Sequence, residues 1–196
     1  MVRLGIYGSL GRVLDMERMK RLKRELMYKG AILDIYKDTM QFANGKTEEW
    51  DFVSHRMGAA AVLPVLPDGR IIMVRQYRNA LERETLEIPA GCRDNLDEDT
   101  SLCAKRELEE ETGYTTNRIE KLLALRTTIA FCDEFVDVYL ARDLVKCSDQ
   151  HLDDGESIDV EIHTLEELCD MIYSGKLQDG KTVSAILAYS NMIHQK

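Results

Sequence analysis

Apolar positions in this chain change period several times. Over residues 13–27, Val13, Leu14, Met16, Met19, Leu22, Leu26 and Met27 recur mostly at helical spacing. Lys20, Arg21, Lys23 and Arg24 fall between them, so the pattern predicts a basic amphipathic helix. Such a helix either packs with its basic face in water or touches an acidic partner or a membrane surface. From residue 31 the pattern turns extended. Residues 31–36 alternate loosely, Asn44-Gly45 is a strong turn signal, and residues 50–53 resume an extended pattern. A short apolar run over 59–65 ends at Pro64 and Pro67. With Asp68-Gly69 as its turn, 61–65 and 71–74 read as a hairpin, and 84–88 reads as a strand broken at Pro89-Ala90-Gly91.

A helix follows over about 100–111, with Asp99 or Thr100 as N-cap and Gly113 just past its end. Strands are predicted over 119–125, 136–141 and 160–163. Thr164-Leu165-Glu166-Glu167 is a capping-box pattern opening a helix to about Tyr173, and a last helix spans about 182–193. The succession predicts an α+β chain, with antiparallel hairpins and helices packed on them.

Composition bounds this picture. The 196 residues hold 26 Lys plus Arg against 35 Asp plus Glu, a formal charge of −9. That length can bury a real core without disulfide staples, and the acidic balance argues against a protein that mainly grips nucleic acid. No run approaches the roughly 20 apolar residues of a membrane span, and the first ten residues lack a secretory pattern. Cysteines 92, 103, 132, 147 and 169 are scattered and form no Cys-x-x-Cys pair, which argues against a disulfide framework or a zinc site and for a reducing cytoplasm. The charge is uneven: residues 1–30 are net basic, so carboxylates concentrate elsewhere.

They gather at 94–111, in Asp94, Asp97, Glu98, Asp99, Glu107, Glu109, Glu110 and Glu111. On a helix, Glu107, Glu110 and Glu111 stand at i, i+3 and i+4 and share one face, while Ala104 and Leu108 offer an apolar stripe. Like charges at that spacing destabilise a helix by ~0.2–0.5 kcal/mol per pair, and the C-terminal end favours cations instead. Something should offset this. A hard divalent cation would, and so would ion pairs to Lys105 and Arg106. An EF-hand does not fit, because a loop begun at Asp94 puts Asp99 where Gly is required and Lys105 where Glu is required.

The wider run is Gly91, six residues, Glu98, seven residues, then Arg106-Glu107-Leu108-Glu109-Glu110-Glu111-Thr112-Gly113-Tyr114. It closely resembles the Nudix box, a glycine, five residues, Glu, seven residues, then Arg-Glu-apolar-x-Glu-Glu-x-Gly-apolar. From Glu98 to Tyr114 the match is complete. The departure is one extra residue after Gly91, so that Cys92 stands at the strict glycine position. The insertion is expected to move Gly91 slightly and leave the helix carboxylates in place. The resemblance implies a Nudix fold, with mixed β-sheets sandwiched between helices. It implies Glu107 and Glu111 as metal ligands, Glu110 as ligand or supporting carboxylate, and a further contact from the Ala90 carbonyl. Glu98 would pair with Arg106 and orient the helix. The cofactor implied is Mg²⁺, with Mn²⁺ as a substitute.

Features outside the box resemble the ADP-ribose pyrophosphatase branch. In Val74-Arg75-Gln76-Tyr77-Arg78, Arg78 would meet the substrate's phosphates or terminal ribose. In Glu87-Ile88-Pro89-Ala90-Gly91, Glu87 would contact substrate or metal-bound water. Trp50, the only Trp, would stack on the nucleobase across a dimer interface, or else serve as core. The run from Thr127 to Glu134 resembles the branch's substrate loop, with Glu134 in the substrate-binding position, but Ile129-Ala130 replaces its Pro-Gly pair. Glu156 aligns with a mobile-loop Glu that acts as catalytic base or metal helper. Residues 1–27 read as a basic helical segment from their own pattern, and the resemblances imply a small antiparallel β subdomain for dimerisation over 28–57 and a Nudix domain over 58–196. The activity implied is metal-dependent hydrolysis of ADP-ribose or a related nucleoside diphosphate sugar by a cytoplasmic homodimer, with no membrane or nucleic-acid partner. GDP-mannose, dinucleoside polyphosphates and NADH are rival substrates, and a ligand-sensing module without catalysis is the rival class.

Overall fold

The computed structural model describes residues 19–152, 155 and 157–195. The chain divides between Val53 and Ser54 into two compact units. The first holds a three-stranded sheet in the order β1 (Met19–Lys29), β2 (Leu33–Phe42), β3 (Thr47–His55), of which Ser54 and His55 already belong to the second unit. Asn44-Gly45 forms the expected turn, with Gly45 at φ 81°. The helix expected over 13–27 is not formed where the structure describes it: residues 19–27 lie within β1, antiparallel to β2. Residues 13–18 lie outside the described residues.

The misreading has a physical cause. β1 carries register shifts between Arg21 and Lys23 and between Leu26 and Tyr28. Each bulge adds a residue, so the apolar spacing stretches from two to three or four and imitates a helix. The basic residues find partners across the strands instead. Arg24 donates to both oxygens of Asp38 at 2.6 and 2.5 Å and lies 3.6 Å from the Phe52 ring centroid.

The second unit holds the remaining elements. A mixed sheet runs in the order β7 (Ala90–Cys92), β4 (Ala59–Pro64), β10 (Phe135–Arg142), β9 (Arg118–Arg126). β4 and β10 are parallel, and the other neighbours are antiparallel. An antiparallel sheet has the order β12 (Ile158–His163), β5 (Ile71–Arg78), β6 (Arg83–Glu87), and β8 (Tyr114–Thr115) pairs with β11 (Val145–Lys146). Three helices complete the unit: α1 (Thr100–Thr112), α2 (Leu165–Tyr173) and α3 (Gly180–His194).

β4 is buried on both faces, and its alternation serves two cores. Ala61 and Leu63 pack with Ile71, Met73, Leu168, Ile186 and Tyr189, on the side of α2 and α3. Ala60 and Val62 pack with Cys103, Ala104 and Leu108 of α1. The mixed sheet is thus sandwiched between helices, as the resemblance implied.

The hairpin expected over 61–74 is only half formed. The turn is present, closed by the Gly69 N–H to the Leu66 carbonyl at 2.9 Å. Beyond one bridge, Val65 to Ile71, the strands part into different sheets. β4 takes β10 and β7 as neighbours, which lie far away in sequence and so leave no local signal. Among the described residues no helix is long and apolar enough to cross a membrane.

Candidate active site

The carboxylate helix is set in phase by its ends. Asp99 caps α1 by accepting from the Ser101 N–H, and Gly113 closes it in the left-handed region at φ 71°, donating to the Glu109 carbonyl. Cys103, Ala104 and Leu108 then face the core. The neighbouring stripe carries Glu107 and Glu111, only 9% and 4% exposed, while Glu110 is half-buried and Glu109 is exposed. Burying two carboxylates one turn apart is costly unless each has partners.

Arg106 supplies several of them. Its Nη1 donates to Glu107 Oε1 at 2.8 Å and Glu110 Oε2 at 2.9 Å, and Nη2 donates to the Cys92 carbonyl at 3.0 Å. Its Nε donates to Glu98 Oε1 at 3.3 Å, so the Glu98–Arg106 pair that the resemblance implied is present. Burial works against the Arg106 charge, but Glu98, Glu107 and Glu110 outweigh it and raise its pKa. Burial likewise pushes the Glu98 carboxyl up, and the Asp94 N–H and Arg106 bring it below its ordinary value.

The short strand β7 lies on this stripe. The Ala90 N–H donates to Glu111 Oε2 at 3.2 Å. Gly91 touches Glu107 so closely that an added Cβ would fall 2.1 Å from Oε1. The extra residue of the box therefore leaves Gly91 in contact with the helix. Between Arg93 and Glu98 the chain closes a turn at Asn95, whose Oδ1 accepts from the Asp97 N–H at 3.0 Å.

These donors suit a hard divalent cation in kind: three carboxylates and a backbone carbonyl on one small patch, with glycine leaving room beside Glu107. With Arg106 holding Glu107 and Glu110, no group of three or more His, Cys, Asp or Glu among the described residues is gathered around one point. The chemistry of the set fits a cation, and seating one requires those side chains to turn from Arg106.

In front of β7 opens a cleft of about 940 Å³. It brings Arg78, Glu87, Ala90 and Glu134 to one wall system, with Glu107 and Glu111 directly behind Ala90 and Gly91. Its lining includes Arg75, Arg78, Arg83, Arg126, Lys176 and Lys181 against Glu84, Glu87, Glu134 and Asp179, a cationic excess in an acidic protein. Glu87 is 2% exposed and accepts from Arg78 Nε at 2.7 Å, Arg78 Nη2 at 2.6 Å, Thr85 Oγ1 at 2.6 Å and Lys181 Nζ. Burial alone would raise its pKa, but Arg78, Lys181 and Thr85 hold it down at about 2. Glu134 accepts from Thr127 Oγ1 at 2.5 Å and lies 3.7 Å from His55 Nε2.

Trp50 belongs to the first unit, where it meets Phe42 edge-on at 6.3 Å and is 41% exposed. Glu156 lies outside the described residues.

The sequence and the fold agree with known proteins. A NUDIX domain model matches residues 55–185. The chain belongs to the Nudix family. It is 40% identical over 168 residues to an ADP-ribose pyrophosphatase of Bacillus subtilis (strain 168), covering 85% of this chain and 90% of that protein. It is 37% identical, with the same coverage of each, to a methanol dehydrogenase activator of Bacillus methanolicus. The crystal structure of an ADP compounds hydrolase superposes with a TM-score of 0.82 at 20% identity, over 91% of this chain and 96% of that one.

Sequence reasoning missed what steadies the C-terminal end of the Nudix helix. Lys146 Nζ donates to the Thr112 carbonyl at 3.0 Å, the His151 N–H to the Glu110 carbonyl at 2.9 Å, and Gln150 Nε2 to the Glu111 carbonyl at 2.6 Å. Residues 146–151 thus satisfy the helix's terminal acceptors and bring the cation that its dipole favours. No local pattern marks Lys146, Gln150 or Lys181, since the partners that bring them to the site, Thr112, Glu111 and Glu87, lie at least 34 positions away.

Proposed function

We propose that this Nudix pyrophosphohydrolase cleaves the pyrophosphate bond of ADP-ribose, or of a closely related nucleoside diphosphate sugar, to a nucleoside monophosphate and a sugar phosphate. The observation that carries this reading is the position of the buried Glu107 and Glu111 behind the Ala90–Gly91 floor of a cation-lined cleft. A diphosphate needs cationic walls and a carboxylate-held metal at one place, and this cleft sets the first against residues suited to the second. The kinship with an ADP-ribose pyrophosphatase over most of both chains supports the substrate class.

In this reading Glu107, Glu110, Glu111 and the Ala90 carbonyl hold Mg²⁺, which Mn²⁺ can replace. When bound, the cation neutralises the diphosphate and acidifies the attacking water. Arg78 binds the substrate anion. Arg106, paired with Glu98, holds the Glu107 and Glu110 carboxylates until a cation draws them away. Glu134 shapes the substrate loop, Glu156 takes the proton of the water, and Trp50 stacks on the base within a cytoplasmic homodimer.

A related sugar nucleotide stays in the reading because Ile129-Ala130 replaces the branch's Pro-Gly pair in the loop that precedes Glu134. The test is a Mg²⁺-dependent hydrolysis panel of ADP-ribose, ADP-glucose, GDP-mannose, UDP-sugars, dinucleoside polyphosphates and NADH, with products identified. AMP and ribose 5-phosphate from ADP-ribose are expected. Inactivity on every nucleoside diphosphate sugar defeats the reading.

A further inference from the structure

Lys181 sits at the second position of α3, where the helix dipole disfavours a cation. Its side chain faces the cleft rather than open water, and it is well covered. Its Nζ meets Glu87 Oε2, the same oxygen that accepts from Arg78 Nη2, and lies 3.1 Å from Asp179 Oδ2. Two cations from different elements, β5 and α3, therefore converge on one buried carboxylate oxygen. Glu87 itself is 2% exposed and receives four hydrogen bonds, so its acceptor capacity is filled from within the protein. The cations are not filled. An ammonium has three donors, and Lys181 uses two of them on Glu87 and Asp179. A guanidinium has five, and Arg78 uses two on Glu87. The remaining donors of both residues belong to side chains that line the cleft.

We infer that Lys181 is a second substrate-anion residue, paired with Arg78 on the diphosphate, and that Glu87 positions the two cations without touching substrate. The inference rests on the reading of this cleft as the diphosphate site. Glu87 fixes both heads at a common point before substrate arrives, so neither long side chain must be ordered on binding. Four hydrogen bonds on that buried carboxylate make the support rigid. Asp179, the N-cap of α3, holds Lys181 from the other side and accepts from the Thr182 N–H at 3.0 Å, which ties the lysine head to the helix start.

The experiment is steady-state hydrolysis of ADP-ribose by wild type, Lys181→Met and Lys181→Arg. It is accompanied by calorimetric binding of ADP-ribose in EDTA, which reads the cation contact without turnover. Lys181→Met keeps the stem and removes the donors. KM and the metal-free Kd should rise about 10- to 100-fold, the worth of one charged hydrogen bond, with kcat held within about threefold. Lys181→Arg should recover most of the loss, which a merely structural lysine would not require. Circular dichroism checks the fold, and Lys181→Gln serves if the Met variant fails to fold. Unchanged KM and Kd in a wild-type background that hydrolyses ADP-ribose overturn the assignment of Lys181 alone. A wild type that hydrolyses no nucleoside diphosphate sugar overturns the reading beneath it.

Discussion

Gly91 presses against the carboxylate of Glu107, so closely that a side chain of even one carbon would fall 2.1 Å from Oε1 and 2.3 Å from Cδ. The neighbour is the end of a flexible side chain, so the clash is relieved by moving the carboxylate and not the backbone. Gly91→Ala is therefore expected to change stability by no more than about 1 kcal/mol. It should also weaken metal-dependent turnover by about 10- to 100-fold at limiting Mg²⁺, because a supporting contact of a ligand is displaced. A thermal melt beside a Mg²⁺ titration checks both halves. Full activity at low Mg²⁺ would remove Glu107 from the metal set.

Glu110 is less buried than its two companions and is held by Arg106 at 2.9 Å. Glu110→Gln keeps the shape and loses the charge. Turnover should fall by about 100-fold or more while KM shifts little, the signature of a group that acts on the reaction more than on binding. Steady-state kinetics at saturating Mg²⁺ decides this, and unchanged turnover defeats the role.

Glu87 makes a pH prediction with a definite sign. Its carboxyl titrates near 2 in the folded protein and near ~4.3 in an unfolded chain. A depressed folded value means that the stabilisation is fully present above the unfolded value and is lost as pH falls toward the folded one. Wild type should lose stability relative to Glu87→Gln between about pH 5 and about pH 2.5, by an amount on the order of a few kcal/mol. Urea unfolding of the two proteins across that range tests it. Parallel pH curves would show that Glu87 titrates normally.

Gln150 spends both amide hydrogens on carbonyls, Glu111 O at 2.6 Å and Ile158 O at 3.0 Å. It thereby fastens the end of α1 to the start of β12. Gln150→Leu removes both donors and should destabilise the protein by about 1–3 kcal/mol. Gln150→Glu should be at least as harmful, because a carboxylate would face two acceptors. Chemical denaturation midpoints measure this, and a neutral Gln150→Leu would mean that water replaces the amide without loss.

Much of this site is legible along one short stretch of chain. Glu98, Arg106, Glu107, Glu110 and Glu111 lie within 14 residues, and their relations follow from helix periodicity and two local caps, Asp99 and Gly113. The capping box at Thr164 and Glu167 forms as its pattern predicts, with both reciprocal bonds present. By contrast, the bulges of β1 give a strand the spacing of a helix. In the 61–74 segment the turn is local while the choice of neighbouring strand is not, so the turn forms and the hairpin does not.

From the sequence alone one can determine the type of chemistry: which carboxylates share a face, which glycine ends their helix, and which turns end the elements. These depend on interactions within a few residues, whose geometry the backbone repeats wherever they occur. Tertiary structure decided everything that needs two distant segments at one point. It placed Ala90 and Gly91 on the carboxylate stripe, brought Arg78 and Lys181 to one oxygen of Glu87, and laid residues 146–151 over the end of α1. Those contacts form because two hydrophobic cores fix β4 between α1 on one face and α2 and α3 on the other. Burial is non-directional and leaves no spacing in the chain from which such meetings could be read.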